Sequence, residues 1–239
     1  MVKREELQKL IKEKILLVGE AGSGKTYTSV KLAEFIASHG YTVIYIDPEY
    51  GAERELLNLS DDALDHIELI VAKTWPELKN AIEQNNKCFI KIVDSFSDAL
   101  EHYKRYLESK FIAQGYYLIG EKEISIKDPD TFKLPWQSYS KLYDAFRDCV
   151  FTMLEHDYHI LTTMHPLKGT DTKESLQQDI FRKYDTVIET RRAEGDTVKW
   201  YGVVKKNRGR EDETLFVKIN DVANTLIKLF EKRLGGSKK

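Results

Sequence analysis

A phosphate-binding loop follows the first apolar run of the chain and restricts the folds that the chain can adopt. The run Lys14–Val18 leads directly into the segment 19–26, Gly-Glu-Ala-Gly-Ser-Gly-Lys-Thr, which matches the pattern G-x-x-x-x-G-K-[ST]. The next segment, Tyr27–Ser38, carries an apolar stripe at helical spacing. A strand before the loop and a helix after it are the context in which this pattern surrounds phosphate groups. The sequence therefore predicts a nucleotide-binding α/β domain.

The chemistry of this loop predicts a nucleoside triphosphate bound together with Mg²⁺. Backbone N–H groups and the Lys25 ammonium would meet the phosphates, and the Thr26 hydroxyl would meet the metal. The predicted nucleotide-binding residues are Gly19, Glu20, Ala21, Gly22, Ser23, Gly24, Lys25, Thr26 and Tyr27.

Composition favours one domain over residues 1–239 and gives no sign of a membrane or nucleic-acid protein. Lys and Arg number 37 against 39 Asp and Glu, a formal net charge of -2. No apolar stretch reaches the roughly 18 residues that a membrane span needs, and the first residues lack the apolar centre of a secretory signal. Cys88 and Cys149 lie far apart, without a metal-binding spacing. We expect a cytoplasmic protein with no membrane contact and no structural metal.

Short apolar runs alternate with helical patterns, which predicts a mainly parallel central sheet flanked by helices. The predicted strands are Ile15–Val18, Thr42–Ile46, Ile67–Val71, Phe89–Val93 and Tyr158–Thr163. The predicted helices are Lys25–Ser38, Thr74–Gln84, Phe96–Phe111 and an amphipathic helix that contains Tyr139, Leu142, Phe146, Val150 and Met153. Ligands of such sheets bind beyond the carboxyl ends of the strands.

Two segments depart from this alternation. Residues 112–136 are too long for an ordinary connection and contain glycines and prolines, which predicts a functional loop or lid. Residues 185–219 are typical of an antiparallel C-terminal β-hairpin extension, with a turn at Glu194-Gly195-Asp196. Its predicted strands are Thr186–Thr190, Thr197–Lys205 and Leu215–Ile219, and a last helix covers Val222–Leu234.

Acidic residues follow two of the predicted strands. Asp47 and Glu49 come after Thr42–Ile46, and Glu49, beyond Pro48, is the better candidate for the base that activates a water molecule. Asp47 is predicted to hold the turn or the water shell. Asp94 ends another apolar strand and is predicted to act with Thr26 at the magnesium ion.

Histidine and basic residues follow the later strands. His165 ends an apolar strand, and both a structural role and a γ-phosphate-sensing role are open for it. Seven basic residues lie between Arg191 and Arg210, including Lys206 and Arg208. A solvated hairpin, a finger that reaches a neighbouring subunit's phosphate, and a nucleic-acid contact would each explain this concentration of positive charge.

Together, residues 14–220 resemble the RecA/RadA superfamily of P-loop ATPases, and most closely its compact phage- and virus-type members associated with single-strand annealing. The segment Tyr45–Glu49 looks like the strand whose terminal Glu activates water, and Ile92–Ser95 is similar to the magnesium-proximal strand. Leu161–His165 falls where recombinases carry a polar sensor, usually Gln. Val204–Arg208 is similar to the Lys/Arg finger strand of RecA-like ring ATPases, including the circadian-clock-type and replicative-helicase branches.

The resemblance implies a RecA-like fold and Mg²⁺-dependent ATP hydrolysis in a homo-oligomer whose active site is completed in trans. The catalytic residues would be Glu49, Lys25 and His165, together with Lys206 and Arg208 from a neighbour. It also implies contact with single-stranded DNA in recombination, repair or annealing, and a recombinase as a possible partner. Two loops would meet the DNA, within Gln114–Trp136 and Pro166–Gln178. Their aromatic and basic residues are Tyr116, Tyr117, Lys122, Lys127, Lys168 and Lys173.

Three other functions stay open at this stage. A KaiC-like ATPase that regulates a partner protein would hydrolyse ATP without binding DNA, and a recombinase paralogue would bind nucleotide and pair with a full recombinase. A nucleotide kinase also uses a phosphate-binding loop, but such kinases commonly close an arginine-rich lid over the phosphates. Residues 112–136 contain no Arg, which disfavours the kinase.

Overall fold

The computed structural model describes residues 11–135, 137–169, 171–193, 199–208 and 221–234, and nine strands lie within them. The strands are β1 (Lys14–Val18), β2 (Val43–Ile46), β3 (Ile67–Ile70), β4 (Ile90–Val93), β5 (Tyr116–Ile119), β6 (Lys122–Ser125), β7 (His159–Met164), β8 (Thr186–Ala193) and β9 (Lys199–Asn207). Helices connect most of them. They are α1 (Lys25–Ala37), α2 (Glu53–Leu56), α3 (Asp61–Leu64), α4 (Trp75–Glu83), α5 (Phe96–Gln114), α6 (Ser138–Leu154), α7 (Asp171–Lys183) and α8 (Val222–Arg233).

Seven of these strands form one sheet in the order β3-β2-β4-β7-β1-β8-β9. Every neighbouring pair is parallel except β8 and β9, which are antiparallel. The prediction of an α/β fold with a mainly parallel sheet and antiparallel C-terminal strands is confirmed. Because parallel strands share a direction, the residues that follow β1, β2, β4 and β7 meet at one edge of the sheet.

Helices cover both faces of the sheet, and the alternation of side chains along β1 shows why. Leu16 and Val18 join an apolar cluster under α4, α5, α6 and α7, whereas Ile15 and Leu17 join a second cluster under α1, α2, α3 and α8. All four side chains are buried. A strand that is buried on both sides reads as a continuous apolar run, which is the pattern that made β1 recognisable in the sequence. Among the helices of the described ranges, none combines the length and the apolarity that a membrane crossing requires.

The segment 112–136, which the sequence predicted to be a functional loop or lid, contains regular structure. Helix α5 continues three residues past its predicted end, and Gly115 then stops it in a left-handed conformation with φ 76°. Strands β5 and β6 follow as an antiparallel hairpin that forms its own two-stranded sheet. Tyr117 packs against Phe111 and Phe132, which ties the hairpin to the end of α5. Trp136 lies outside the described residues.

The C-terminal extension is partly described. Strand β8 pairs with β1 in parallel as well as with β9 in antiparallel, so the first strand of the predicted hairpin extension belongs to the main sheet. The predicted turn at Glu194–Asp196 and the predicted strand Leu215–Ile219 lie outside the described residues. Helix α8 begins at Val222, after Asp221 caps it by accepting a hydrogen bond from the Asn224 N–H.

Candidate active site

The phosphate-binding loop joins β1 to α1 in a conformation that two glycines make accessible. Gly22 and Gly24 have φ values of 73° and 85°, in the left-handed region that glycine adopts without steric cost. Gly24 is the N-cap of α1, and no side chain caps the helix there. The N–H groups of the first helical turn have no intrahelical acceptor, so this end of α1 offers them to an anion.

Gly19 is required by close packing against β8. A Cβ atom at Gly19 would clash with Thr190 Oγ1 and with Ser23 Oγ. These two hydroxyls lie 2.8 Å apart and hydrogen-bond to each other. The Gly19 N–H donates to the Met164 carbonyl at the end of β7, at 3.1 Å. The start of the loop is therefore fixed to the strands on both sides of β1.

Lys25 lies at the base of the loop and is buried. Its Nζ donates to the carbonyl oxygens of Gly19 at 2.8 Å and Glu20 at 3.0 Å. Burial lowers the pKa of the ammonium, and the carboxylates of Asp94 and Glu49 oppose that shift. The positive charge of Lys25 is thus held inside the curve of the loop, where phosphate oxygens would meet it.

Asp94 ends β4 and accepts hydrogen bonds from three hydroxyl groups. Tyr45 donates to Oδ2 at 2.9 Å, Ser29 donates to the same oxygen at 3.3 Å, and Thr163 donates to Oδ1. Asp94 is 6% exposed. Hydroxyls from α1, β2 and β7 therefore orient this carboxylate beside the phosphate-binding loop, in the place that the sequence predicted for a magnesium-proximal acid.

The two acids after β2 have different surroundings. Asp47 is buried, and its Oδ1 and Oδ2 accept hydrogen bonds from the N–H groups of Glu49 and Ala52 at 2.9 and 2.7 Å. Asp47 thus holds the turn, as one of its two predicted roles requires. The Glu49 side chain is exposed at the mouth of the site. A hydrogen bond with Asp98, helped by partial burial, raises the pKa of Glu49 to about 8.

One cavity of about 280 Å³ brings most of the predicted residues together. Its lining includes Lys25, Thr26, Glu49, Asp94 and His165, which come from the ends of β1, β2, β4 and β7 and from the start of α1. Tyr27, from the predicted nucleotide-binding set, also lines it. The cavity therefore contains backbone donors, a cation, a hydroxyl and two carboxylates within one small volume.

His165 connects this cavity to the loop after β7. Its backbone N–H donates to Ser97 Oγ at 2.7 Å, near the start of α5. Its imidazole lies in a cluster with the carboxyl groups of Glu49 and Asp98, and one ligand atom from each residue lies within 4.8 Å of the others. A histidine in this position lies close to the candidate base, beside the cavity.

Lys206 and Arg208 lie at the opposite edge of the sheet from the phosphate-binding loop of the same chain, because β9 runs antiparallel to β8. Lys206 Nζ donates to the carbonyls of Phe181 and Arg182 at 2.9 and 2.7 Å, and Arg208 Nη2 donates to the Arg182 carbonyl at 2.6 Å. Both side chains therefore bind the C-terminal end of α7. Their action on a neighbouring subunit stays a prediction.

A second, larger cavity of about 750 Å³ adjoins the other side of the loop. Its lining includes four basic residues, and ion pairs connect several of them to two acids. Lys168 pairs with Glu20, and Arg191 and Lys205 pair with Glu189 at 2.7 and 2.6 Å. The fourth basic residue of the lining is Arg192. The lining therefore has four positive side chains and two negative ones.

The predicted DNA-contacting residues lie in two different places. Tyr116, Tyr117 and Lys122 belong to the β5–β6 hairpin, and Lys127 follows it. Lys168 lies in the loop after β7 beside the larger cavity, whereas Lys173 belongs to the first turn of α7. The second predicted loop is thus short, because α7 begins at Asp171.

Sequence reasoning missed several residues that build the site. Asp98 contacts Glu49, and Ser29, Tyr45 and Thr163 hold Asp94. Asp98 had one local signal, since Ser95 and Asp98 stand at the first and fourth positions of a helix-capping pattern. The three hydroxyl residues had no local signal in the sequence, because each of them lies in a different helix or strand.

Comparisons with known proteins identify the fold. No protein-family model matches the chain, and no curated protein sequence matches it. A KaiC-like protein, PH0186, from the hyperthermophilic archaeon Pyrococcus horikoshii OT3 has a similar structure, with a TM-score of 0.51 and 13% sequence identity over 82% of this chain and 80% of that chain.

A second solved structure is the flagellar accessory protein FlaH from Methanocaldococcus jannaschii, with a TM-score of 0.45 and 15% identity over 87% of this chain and 86% of that chain. We rest the fold assignment on the first similarity, on the strand order and on the phosphate-binding loop. The chain has an α/β fold similar to that of the KaiC-like protein PH0186, with a mainly parallel sheet and a phosphate-binding loop after β1.

Proposed function

We propose that this protein binds ATP with Mg²⁺ at the phosphate-binding loop and hydrolyses it. The observation that carries the proposal is the shared 280 Å³ cavity, in which Lys25, Glu49, Asp94 and His165 line one space. An anion site, a candidate base and an oriented carboxylate in one cavity are the components that phosphoryl transfer to water requires.

The residues present fit a magnesium nucleotide. The first turn of α1 is capped by no side chain, and the Lys25 ammonium lies inside the loop, so both can meet phosphate oxygens. Thr26 supplies a hydroxyl to the same cavity as the Asp94 carboxylate. When bound, Mg²⁺ would neutralise charge on the phosphates. Thr26 and Asp94 would hold the ion, directly or through water.

Glu49 is the residue that makes hydrolysis the best-supported reaction. Its carboxyl group is at the mouth of the cavity, on a turn that Asp47 fixes from inside. In its ionised form it can orient a water molecule and accept the proton that water loses when it attacks phosphorus. Transfer to a second substrate, as in a kinase, would need cations over the transferred group. The described part of 112–136 forms a hairpin, and the whole segment contains no Arg.

The test is Glu49→Gln, which keeps the size of the side chain and removes its basicity. ATP hydrolysis should fall by roughly 10²- to 10⁴-fold, as expected for loss of a general base, while ATP binding persists. The matched control is Glu55→Gln, an exposed acid on the neighbouring helix α2. Turnover of Glu49→Gln at the control's rate would contradict the assignment.

Single-stranded DNA is the partner that we propose for this ATPase, in recombination, repair or annealing. The supporting feature is the 750 Å³ cavity beside the loop, because Lys168, Arg191, Arg192 and Lys205 can meet phosphates while Tyr201 can stack on a base. Binding and ATPase stimulation across a salt series test this. Replacing Arg192 by Ala should flatten the slope of log K against log salt by about 0.7, the value for one phosphate contact.

Lys12→Ala is the control for that experiment, since Lys12 precedes β1 at the opposite edge of the sheet and forms a 3.8 Å surface ion pair with Asp157. Absence of DNA binding at low salt would contradict the DNA proposal and leave ATP hydrolysis intact.

A partner-regulating ATPase without DNA is the second candidate, and the ion pairs of the larger cavity favour it. Glu20 and Glu189 already neutralise part of its positive charge. A lining of mixed sign is more typical of a contact with a protein than of a phosphate track. The salt series decides between the two candidates, because only the DNA-binding protein shows a salt-dependent affinity for the strand.

We further propose that the protein works as a homo-oligomer. Lys206 and Arg208 lie far from the cavity of their own chain, so any action on a phosphate must be on that of another subunit. The same proposal includes a full recombinase as the partner subunit, for the case in which this protein is a recombinase paralogue.

A further inference from the structure

Two carboxyl groups from different elements meet beside the cavity. Glu49, on the turn after β2, and Asp98, in the first turn of α5, have carboxylate oxygens within 4.8 Å of each other. Two negative charges at this distance repel each other, which favours the state in which one of the two groups keeps a proton. In that state the pair carries one proton and one negative charge.

The backbone around both groups is fixed. The Glu49 N–H donates to Asp47 Oδ1 at 2.9 Å, and the imidazole Nε2 of His102, four residues after Asp98 on α5, lies 3.2 Å from the Pro48 carbonyl oxygen. The turn that carries Glu49 is thus bonded to the helix that carries Asp98. The two carboxyl groups meet because their supports are joined.

The surroundings place the proton on Glu49. Asp98 accepts a hydrogen bond from Ser95 Oγ, and it lies in the first turn of α5, where the helix dipole favours negative charge. Glu49 lies on a turn, without a helix dipole to favour its charge. Two further acids act on Glu49, Asp94 and Asp47, and both raise its pKa in the same direction as Asp98 does. This distribution favours the proton on Glu49.

Two basic groups also face Glu49. The Lys25 ammonium interacts favourably with its carboxylate across the cavity, and the His165 imidazole lies in the same cluster. The attraction of Lys25 favours the ionised form of Glu49 but is outweighed, since the pKa of Glu49 is raised to about 8 from its ordinary value of 4.5. The acid partner on α5 is the largest cause of that shift.

We propose that Asp98 is a positioning residue that orients the Glu49 carboxyl group and holds a proton on it, so that the base becomes active only as the pH rises. This inference rests on the proposed hydrolysis, in which Glu49 accepts a proton from water. A protonated Glu49 cannot accept that proton, so the rate should rise with pH through the range in which the pair loses its shared proton. Loss of the acid at position 98 should make Glu49 a base at lower pH.

The experiment is the pH profile of kcat/KM for the wild type and for Asp98→Asn, because this ratio reports the pKa values of the free enzyme. The amide that this substitution introduces can donate to the Glu49 carboxylate and so stabilises the ionised form instead of the protonated one. We expect the acidic limb of the profile, near pH 8 in the wild type, to move down by roughly one to three pH units, the range for a change in a neighbouring charge. The control is Glu101→Gln, which removes an exposed acid from the same helix.

A second readout does not depend on turnover. The ¹³C chemical shift of the Glu49 carboxyl carbon, assigned by its loss in Glu49→Gln, should titrate at lower pH in Asp98→Asn than in the wild type or in Glu101→Gln. An Asp98→Asn protein whose rate profile and carboxyl titration both match the wild type would overturn the inference. The proposed function fails separately, through wild-type turnover of Glu49→Gln.

Discussion

Lys25 and Lys91 are both buried lysines that donate to backbone carbonyls. They lie at opposite edges of the sheet, Lys25 beside the N-terminus of α1 and Lys91 beside the C-terminus of α4. Lys25 Nζ donates to two carbonyls of the phosphate-binding loop, just before the start of α1. Lys91 lies within β4 and donates to the carbonyls of Ala81, Ile82 and Gln84, at the end of α4. Burial lowers the pKa of both, to about 8 for Lys91.

The difference lies in what the two helix ends can still bind. The last carbonyls of α4 have no intrahelical donor, and Lys91 satisfies three of them while its charge offsets the negative end of the helix dipole. Lys25 stands beside the N-terminus of α1, where N–H groups and positive charge together attract an anion. Lys206 and Arg208 repeat the Lys91 arrangement at the end of α7. A buried cation is thus structural at a helix C-terminus and available for a ligand at an N-terminus.

Of the three replacements of basic residues, Lys25→Ala should have the largest effect on activity. We expect ATP hydrolysis to fall by at least about 10²- to 10³-fold, because the cation nearest to the phosphates is lost. The free energy of unfolding should change by roughly 1 kcal/mol or less, since two loop carbonyls lose a single donor. Steady-state hydrolysis and urea unfolding measure the two. Substantial remaining hydrolysis would show that Lys25 is as structural as Lys91.

Replacing Lys91 by Met should reverse that result. Three carbonyls at the end of α4 would lose their donor, so we expect the free energy of unfolding to fall by about 1 to 3 kcal/mol. Hydrolysis per folded molecule should stay unchanged, because Lys91 lies at the edge of the sheet opposite the cavity. The control is Lys87→Met, an exposed lysine just before β4. A stability equal to that of the control would contradict the capping role of Lys91.

Replacing Arg208 by Ala should have a small effect on stability and gives the sharpest test of the comparison. Loss of one hydrogen bond to an exposed carbonyl should cost about 1 kcal/mol. If Arg208 also acts on a neighbouring subunit, hydrolysis falls in the pure variant and recovers when Lys25→Ala subunits are mixed in, since these supply Arg208. Arg182→Ala, on the same helix end, is the control. Lack of recovery in the mixture would leave Arg208 with its capping role alone.

Most of the residues that line the cavity could be predicted, because a simple rule places them at one edge of the sheet. Glu49, Asp94 and His165 each follow an apolar run, and parallel runs end at one edge of a sheet. The three therefore had to lie near the phosphate-binding loop once the sheet was recognised. Asp98 could not be placed in this way, because it lies inside the first turn of α5 and meets Glu49 only across the packing of α5 on the turn after β2.

For the basic residues, by contrast, the surroundings of each side chain could not be predicted from the sequence. Their concentration between Arg191 and Arg210 is plain in the sequence, but the strand pairing divides them. Arg191, Arg192 and Lys205 lie beside the larger cavity, whereas Lys206 and Arg208 bind the end of α7. The side chains of Lys205 and Lys206 differ in surroundings although the residues are adjacent, because the pairing of β8 with β9 shifts register between these residues.

The sequence by itself determined the phosphate-binding loop, the α/β class and the strand ends that carry Glu49, Asp94 and His165, because these follow from local patterns and from the common direction of parallel strands. The tertiary structure alone decided which charges remain available to a ligand. Lys91 and Lys206 are held by helix C-termini, and the Asp98 carboxyl group lies beside that of Glu49, through contacts between residues that are distant in the chain or belong to different elements. The charged residues are visible in the sequence, but the groups that each of them contacts depend on tertiary packing.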